Sequence, residues 1–251
     1  MADSASLRRR ALLVRAAFAA LFAAAPVHAA DRPPLRVILP VSPGSGVDVI
    51  VRTVGPALSN QLGGQAVVVE NLAGAGGITG TAALVRAAPD GNTIAFISNN
   101  HAVNPSVYKK MPYDSLADIT PISVVGATPF VLVVNPAKVP AKNAKELVAL
   151  LKARPGAYNL ASSGNGTIIH LAGEMFVDAA GVDAKHIPYK GVGPMLADLI
   201  GGQVDFGVVA LPAVQGYLKS GQLRAIVGKS GSDGTRDLPM TPIGRSWPLL
   251  R

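Results

Sequence analysis

The sequence holds no cysteine, only 5% aromatic and 15% charged residues, and beyond its first 29 positions no basic run longer than Lys109-Lys110. Each shortage removes a class of function. With no thiol there is neither a disulfide framework nor a lipid-modified anchor, so the folded chain rests on its hydrophobic core alone. Nucleic-acid binding draws on a clustered basic stripe interleaved with stacking aromatics. Neither is present, and no nucleic-acid partner is expected. Catalytic signatures are lacking too: there is no Gly-x-Ser-x-Gly elbow, no His-Glu-x-x-His pair and no thiol nucleophile. An enzyme is disfavoured, and no cofactor is expected.

What is present begins with an address. Arg8, Arg9 and Arg10 precede an apolar Ala/Leu/Phe stretch from Ala11 to Pro26, and Val27-His28-Ala29 sets small residues at the −3 and −1 positions of a cleavage site. This reads as a signal peptide over residues 1–29, cleaved after about Ala29, which sends the chain to the periplasm. An uncleaved anchor is the competing reading, and Arg15 inside the apolar window counts against it. Those residues carry four arginines and one aspartate, so +3 of the formal +8 leaves with them and +5 remains. A field of that size favours an anionic small ligand only as a bias on capture rate. The remaining roughly 220 residues are enough for one or two domains with their own cores.

Along the chain, short apolar runs alternate with helical periodicity. Strands are expected at 35–40, 67–70, 93–97, 130–134, 159–161, 186–189, 204–209 and 223–227. Helices are expected at 47–62, 78–88, 143–153 with Asn143 as N-cap, 168–180 and 194–200. Strands alternating with helices imply an α/β fold of parallel sheets covered on both faces. Ligands on such sheets bind where strand ends run into helix N-termini. Here those loops are Ser42-Pro43-Gly44-Ser45-Gly46, Ala73-Gly74-Ala75-Gly76-Gly77, Ser98-Asn99-Asn100-His101, Ser162 to Thr167 and Lys190 to Gly193. Exposed N–H groups and the positive end of a helix dipole make such loops attractive to carboxylate or phosphate.

For any one glycine, plain turn geometry is the competing explanation; several such loops in equivalent positions favour convergence on a ligand. Neither early glycine loop closes on the Gly-Lys-Ser/Thr of a phosphate-binding loop. The final glycine of Gly74 to Gly80 falls one residue late for a dinucleotide fingerprint. His101 lies on a candidate ligand loop, whereas His170 and His186 read as core or capping residues. His170 and Glu174 share a helix face at i,i+4, a poor metal site without a third ligand, and no metal is expected.

With these loops in view, the chain resembles the extracytoplasmic receptors of tripartite tricarboxylate transporters, the Bug family. The matching segments are Ile38 to Asp48, Val69-Glu70-Asn71 with Gly74 to Gly77, Ala88-Pro89-Asp90-Gly91, and Tyr113-Asp114 with Asp118 to Ile122. Ala161 to Thr167 with His170 to Glu174, Pro188 to Gly191 and Gly202 to Asp205 complete an ordered set over about residues 35–227.

The resemblance implies a class II periplasmic binding-protein fold: a first domain over 30–126 and a second over 127–227, with a ligand cleft between them. It implies a monomer that captures a small carboxylate-bearing anion and delivers it to membrane transporter subunits. First-domain contacts would come from Ser42, Gly44, Ser45, Gly46 and Asp48, from Ala75, Gly76 and Gly77, and from Ser98, Asn99 and Asn100. Second-domain contacts would come from Ser162, Ser163, Asn165, Gly166 and Thr167, with Tyr189, Lys190 and Gly191. Asp205 either faces the cleft or caps a turn. Ser42 and Ser45 stand where relatives often carry a bulkier aromatic or another glycine, which leaves pocket size open. Residues 228–251 depart from the family pattern and lack apolar periodicity, which is read as a truncated or frame-shifted end or a divergent tail. An α/β enzyme acting on a small carboxylate or phosphorylated substrate, and a ligand-presenting sensor, are the alternative functions.

Overall fold

The structure is a computed structural model and describes residues 32–226. The signal-peptide segment and the tail from Gly228 lie outside the described residues. Three parallel strands form the first sheet in the order β2-β1-β3: β1 (Leu35–Leu39), β2 (Val67–Asn71) and β3 (Thr93–Ala95). Helix α1 (Gly46–Gln61) connects β1 to β2, and a 3-10 turn (Ala75–Gly77) leads into α2 (Ile78–Val85) before β3. Leu35, Val37 and Leu39, alternate residues of β1, pack with Val51 of α1, as the two-residue period of a strand requires.

After β3 come α3 (Asn100–Val107) and a long irregular connection to the second sheet. That sheet holds β4 (Phe130–Val134), β5 (Asn159–Ser162), β6 (Lys185–Pro188), β7 (Phe206–Ala210) and β8 (Arg224–Ala225), in the order β6-β5-β7-β4-β8. Helices α4 (Ala144–Ala153), α5 (Ile168–Ala180), α6 (Val192–Ile200) and α7 (Leu211–Lys219) intervene. The continuous apolar run of β4 serves two cores. Val131 and Val133 pack with Met195, Leu199 and Val214, while Leu132 and Val134 pack with Leu147, Leu160, Phe176 and Phe206. A strand buried on both faces reads as such a run rather than as alternation.

Three expectations need correction. The second sheet is mixed, because β4 runs antiparallel to β7 and β8 while β5 is parallel to β6 and β7. β4 enters from an irregular segment, and without a crossover helix before it nothing forces the parallel sense. Helix α3 begins within the expected Ser98–His101 loop, where the sequence shows no helical period because the stretch is short, has little amphipathicity and contains Pro105. Helix α7, with Pro212 in its first turn, was also missed; proline is well placed there because that N–H has no intrahelical acceptor.

The expected cap at Asn143 is present. Its side chain accepts from Glu146 N, and the Glu146 carboxylate accepts from Lys142 N. Among the described residues no helix is long and apolar enough to cross a membrane.

Candidate functional site

The loops that leave β1, β2, β3, β5, β6 and β7 converge on one cavity of about 830 Å³. From the first sheet it is lined by Ser42, Ser45 and Gly46, by Ala75, Gly76 and Gly77, and by Ser98, Asn99 and Asn100. From the second it is lined by Ser163, Asn165, Thr167, Tyr189, Lys190 and Gly191. The sequence-derived set is therefore largely brought together around a single space.

The glycine loop is shaped by necessity. Gly74, Ala75, Gly76 and Gly77 all have positive φ, and Ala75 at 45° is the one non-glycine among the described residues to do so. A Cβ at Gly76 would lie 2.9 Å from Asn104 Oδ1, and one at Gly77 would lie 3.0 Å from the Pro40 carbonyl oxygen. Buried Asn104 donates from Nδ2 to the Gly76 carbonyl at 3.1 Å, fastening the loop from behind. The first N–H groups of a helix have no intrahelical acceptor. No side-chain cap covers those of the 3-10 turn, nor those of α3. These two loops therefore present donors to the cavity.

Five expected contacts do not line it. Asp48 is buried: its carboxylate accepts from Gly44 N at 3.0 Å, Arg52 Nε at 3.0 Å and Asn71 Nδ2 at 2.9 Å. Burial alone would raise its pKa, but the bonds from Arg52, Gly44 and Asn71 outweigh this and hold it below the usual carboxylate range. Gly44, at φ 77°, is the turn that delivers its N–H to Asp48. The Ser162 hydroxyl accepts from Gly164 N and is bonded to His186 Nε2 at 2.7 Å. Gly166 donates to His170 Nδ1 at 3.1 Å. Asp205 accepts from Asn159 N at 2.7 Å and donates its own N–H to the Asn159 carbonyl, so it ties the start of β5 to the start of β7 and caps no turn. Short polar groups beside a strand end satisfy local backbone as readily as a ligand, and only tertiary placement separates the two roles.

Asp48 yields a prediction. Asp48→Asn removes the charge while an amide donor meets the Gly44 N–H, and a loss of about 2 kcal/mol in unfolding free energy is expected at neutral pH. Because the folded-state pKa is lowered, the wild-type contribution is complete above about pH 4 and is lost as pH falls through the folded pKa. Urea unfolding from pH 7 to pH 3 checks this: the gap between wild type and variant should narrow on acidification.

Tyr189 lines the cavity with its ring, but its hydroxyl donates to Asp198 Oδ2 at 2.7 Å. Burial and that carboxylate push the phenol up to about 12. His101 turns elsewhere, stacking on Tyr113 and bonding through Nε2 to the Ser115 carbonyl.

The structure does supply a third member beside His170 and Glu174, namely His186, with donor atoms all within 4.8 Å of one another. Hydrogen bonding argues against a metal there. Gly166 N–H occupies His170 Nδ1, so the proton sits on Nε2, directed toward Glu174 at 3.4 Å. A metal-bound imidazole ordinarily carries its proton on the nitrogen opposite the metal, which Gly166 forbids. The two rings also stack at 4.0 Å and 20°, so their in-plane lone pairs point side by side. Burial and neighbouring His170 hold His186 below the usual histidine range, against the opposing pull of Glu174. The stacked pair clamps the 162–167 loop through the bonds of Ser162 to His186 and of Gly166 to His170.

Lining residues missed from sequence include Tyr108, the Gly126–Phe130 segment, Ile168, and Val209 with Ala210. Tyr108 and the segment 126–129 belong to a stretch with no periodicity to flag them. Ala210 follows four buried β7 residues and gives no chemical signal.

The family model described as the tripartite tricarboxylate transporter family receptor matches residues 50–243, which runs past Val227 into the tail. BugT of Bordetella pertussis is 41% identical over 223 residues, 87% of this chain and 68% of BugT. Among solved structures, Rpa4515 of R. palustris with adipate aligns with a TM-score of 0.74 at 30% identity, over 77% of this chain and 64% of that one. MatC of Rhodopseudomonas palustris with bound malate aligns with a TM-score of 0.70 at 26% identity, over 80% and 67%. The chain thus spans about two thirds of the length of these relatives. With the match covering most of its length, the chain belongs to the tripartite tricarboxylate transporter family of receptors, which are periplasmic-binding-protein-like α/β proteins and not enzymes.

Proposed function

We propose that this protein is exported by its N-terminal segment to the periplasm, where as a monomer it captures a small organic dicarboxylate. It then delivers the ligand, unchanged, to membrane transporter subunits. The observation that carries this reading is the set of uncapped N–H donors at Ala75–Gly76 and Asn99–Asn100 in a cavity whose wall mixes hydroxyl and amide side chains with apolar ones. Backbone donors and helix N-termini suit one carboxylate. Val47, Ile50, Ile97 and Phe130 suit a methylene chain, and Lys190 offers positive charge to a second carboxylate. Adipate in Rpa4515 and malate in MatC are ligands of this chemistry. In this reading residues 30–126 and 127–227 are two lobes that close on the ligand, and the lining residues of both contribute contacts.

A thermal-shift titration with adipate, malate, citrate, benzoate and amino acids tests it. One dicarboxylate should raise the melting temperature saturably, equivalent to about 2.7 kcal/mol at a hundred times its Kd, and should be recovered intact. Absence of any shift, or consumption of the compound, overturns the reading.

A further inference from the structure

Two helices at the cavity are capped by side chains from the other sheet. Gly191 precedes α6 and has no side chain to offer its first N–H groups. Ser42, from the loop after β1, supplies the missing oxygen: its hydroxyl accepts from Val192 N at 2.8 Å and from Gly193 N at 3.4 Å. Ser42 is buried there. At α5, Thr167 caps the His170 N–H, and Asn100 Oδ1 accepts from Ile168 N at 2.8 Å.

The same seam is closed by glycines. A Cβ on Gly191 would sit 2.5 Å from Ser42 Oγ, one on Gly193 2.9 Å from the Pro43 carbonyl oxygen, and one on Gly46 2.8 Å from Ala210 Cβ. A Cβ on Gly166 would strike Val107 Cγ1. Four close approaches, each at a residue lacking a side chain, bring the two walls into contact.

We propose that Ser42 and Asn100 are closing latches, positioning residues that cap α6 and α5 from across the cleft and hold it shut. A side-chain oxygen on the first N–H groups of a helix satisfies donors that otherwise need water, so each latch stabilises the closed form over the open one. The latches also direct the ligand. With the N-termini of α5 and α6 already occupied, ligand charge falls to the uncapped donors of the 73–77 and 98–100 loops. This inference rests on the receptor reading in taking the cavity as a cleft that opens.

The test needs no ligand. Because the chain has no cysteine, Gln61→Cys on α1 and Lys152→Cys on α4, both exposed, accept two spin labels and no others. Pulsed-EPR distances in the ligand-free protein should show one dominant short population. Ser42→Ala and Asn100→Ala should each lower the closed-to-open ratio about tenfold, and the double variant should be predominantly open. Asn100→Asp, which keeps an acceptor for Ile168 N–H, should stay closed. A far-UV melt establishes that each variant is folded, and if the double variant is not, the Asn100→Ala and Asn100→Asp pair decides. An unchanged distribution in the alanine variants, or opening in Asn100→Asp, overturns the latch. Failure of the receptor reading instead shows as an absent ligand shift in the thermal screen, with the label distances still responding.

Discussion

Gly191→Val is expected to weaken binding of the dicarboxylate that the thermal screen identifies by about 100-fold or more, a loss of roughly 3 kcal/mol, while the ligand-free protein remains folded. Gly191 has φ 113°, a region that costs a β-branched residue about 1–3 kcal/mol. The new Cβ would approach Ser42 Oγ to 2.5 Å and Ser42 Cβ to 2.6 Å, so the walls must separate. Separation removes the bonds from Val192 N and Gly193 N to the Ser42 hydroxyl, each worth about 0.5–1.5 kcal/mol. Both effects fall on the closed form, because in an open cleft the position faces water and the loop can relax. Isothermal titration with that dicarboxylate, alongside thermal unfolding without it, separates affinity from stability. Wild-type affinity in a folded Gly191→Val protein would show that the close approach is dispensable. Gly191→Ala, which shares the Cβ but not the branching, should fall between the two.

Phe206→Ala is expected to cost about 3–5 kcal/mol of unfolding free energy. Phe206 is fully buried in β7, meets Phe176 edge-on at 6.3 Å and 73°, and packs among Leu147, Leu151 and Leu160, themselves fully buried. Strand and helix backbones leave that cluster little freedom to collapse, so most of the cavity would persist. For a chain of this size the melting temperature should fall by roughly 10 °C, and urea unfolding gives the free energy directly. Phe206→Leu, which keeps most of the volume, should cost less than about 1.5 kcal/mol. A Phe206→Ala protein as stable as wild type would mean that the cluster repacks. Since total stabilities are commonly about 5–15 kcal/mol, this one side chain accounts for a substantial share.

The contrast between these positions explains what was legible in the sequence. Phe206 and the run from Phe130 to Val134 announce themselves by composition, because burial of apolar side chains is a local preference that any window of sequence records. The loops at 73–77 and 162–167 were legible for a related reason: positive φ and crowded backbone demand glycine, and strand-to-helix junctions demand hydroxyl caps. Asp48 and Ser162 lie outside the cavity lining because the same residue types serve backbone and ligand alike. Asp48, expected among the ligand contacts, is enclosed by Gly44, Arg52 and Asn71. Helix α3 escaped because Asn104 acts through a single buried hydrogen bond to Gly76, a contact that leaves no periodic trace.

By itself the sequence determined the α/β alternation, the glycine–hydroxyl character of the loops, the absence of thiol and familiar catalytic groups, and the resemblance to a receptor family. These follow from preferences acting over a few residues or from ordered motifs. Tertiary structure alone decided the antiparallel entry of β4, the union of His186 with His170 and Glu174, and the pairing of Ser42 with Val192 and of Asn100 with Ile168. Those partners lie 150 and 68 residues apart. A helix N-terminus declares in sequence that it needs an acceptor, but which oxygen meets it is set only when the two walls of the cavity come together.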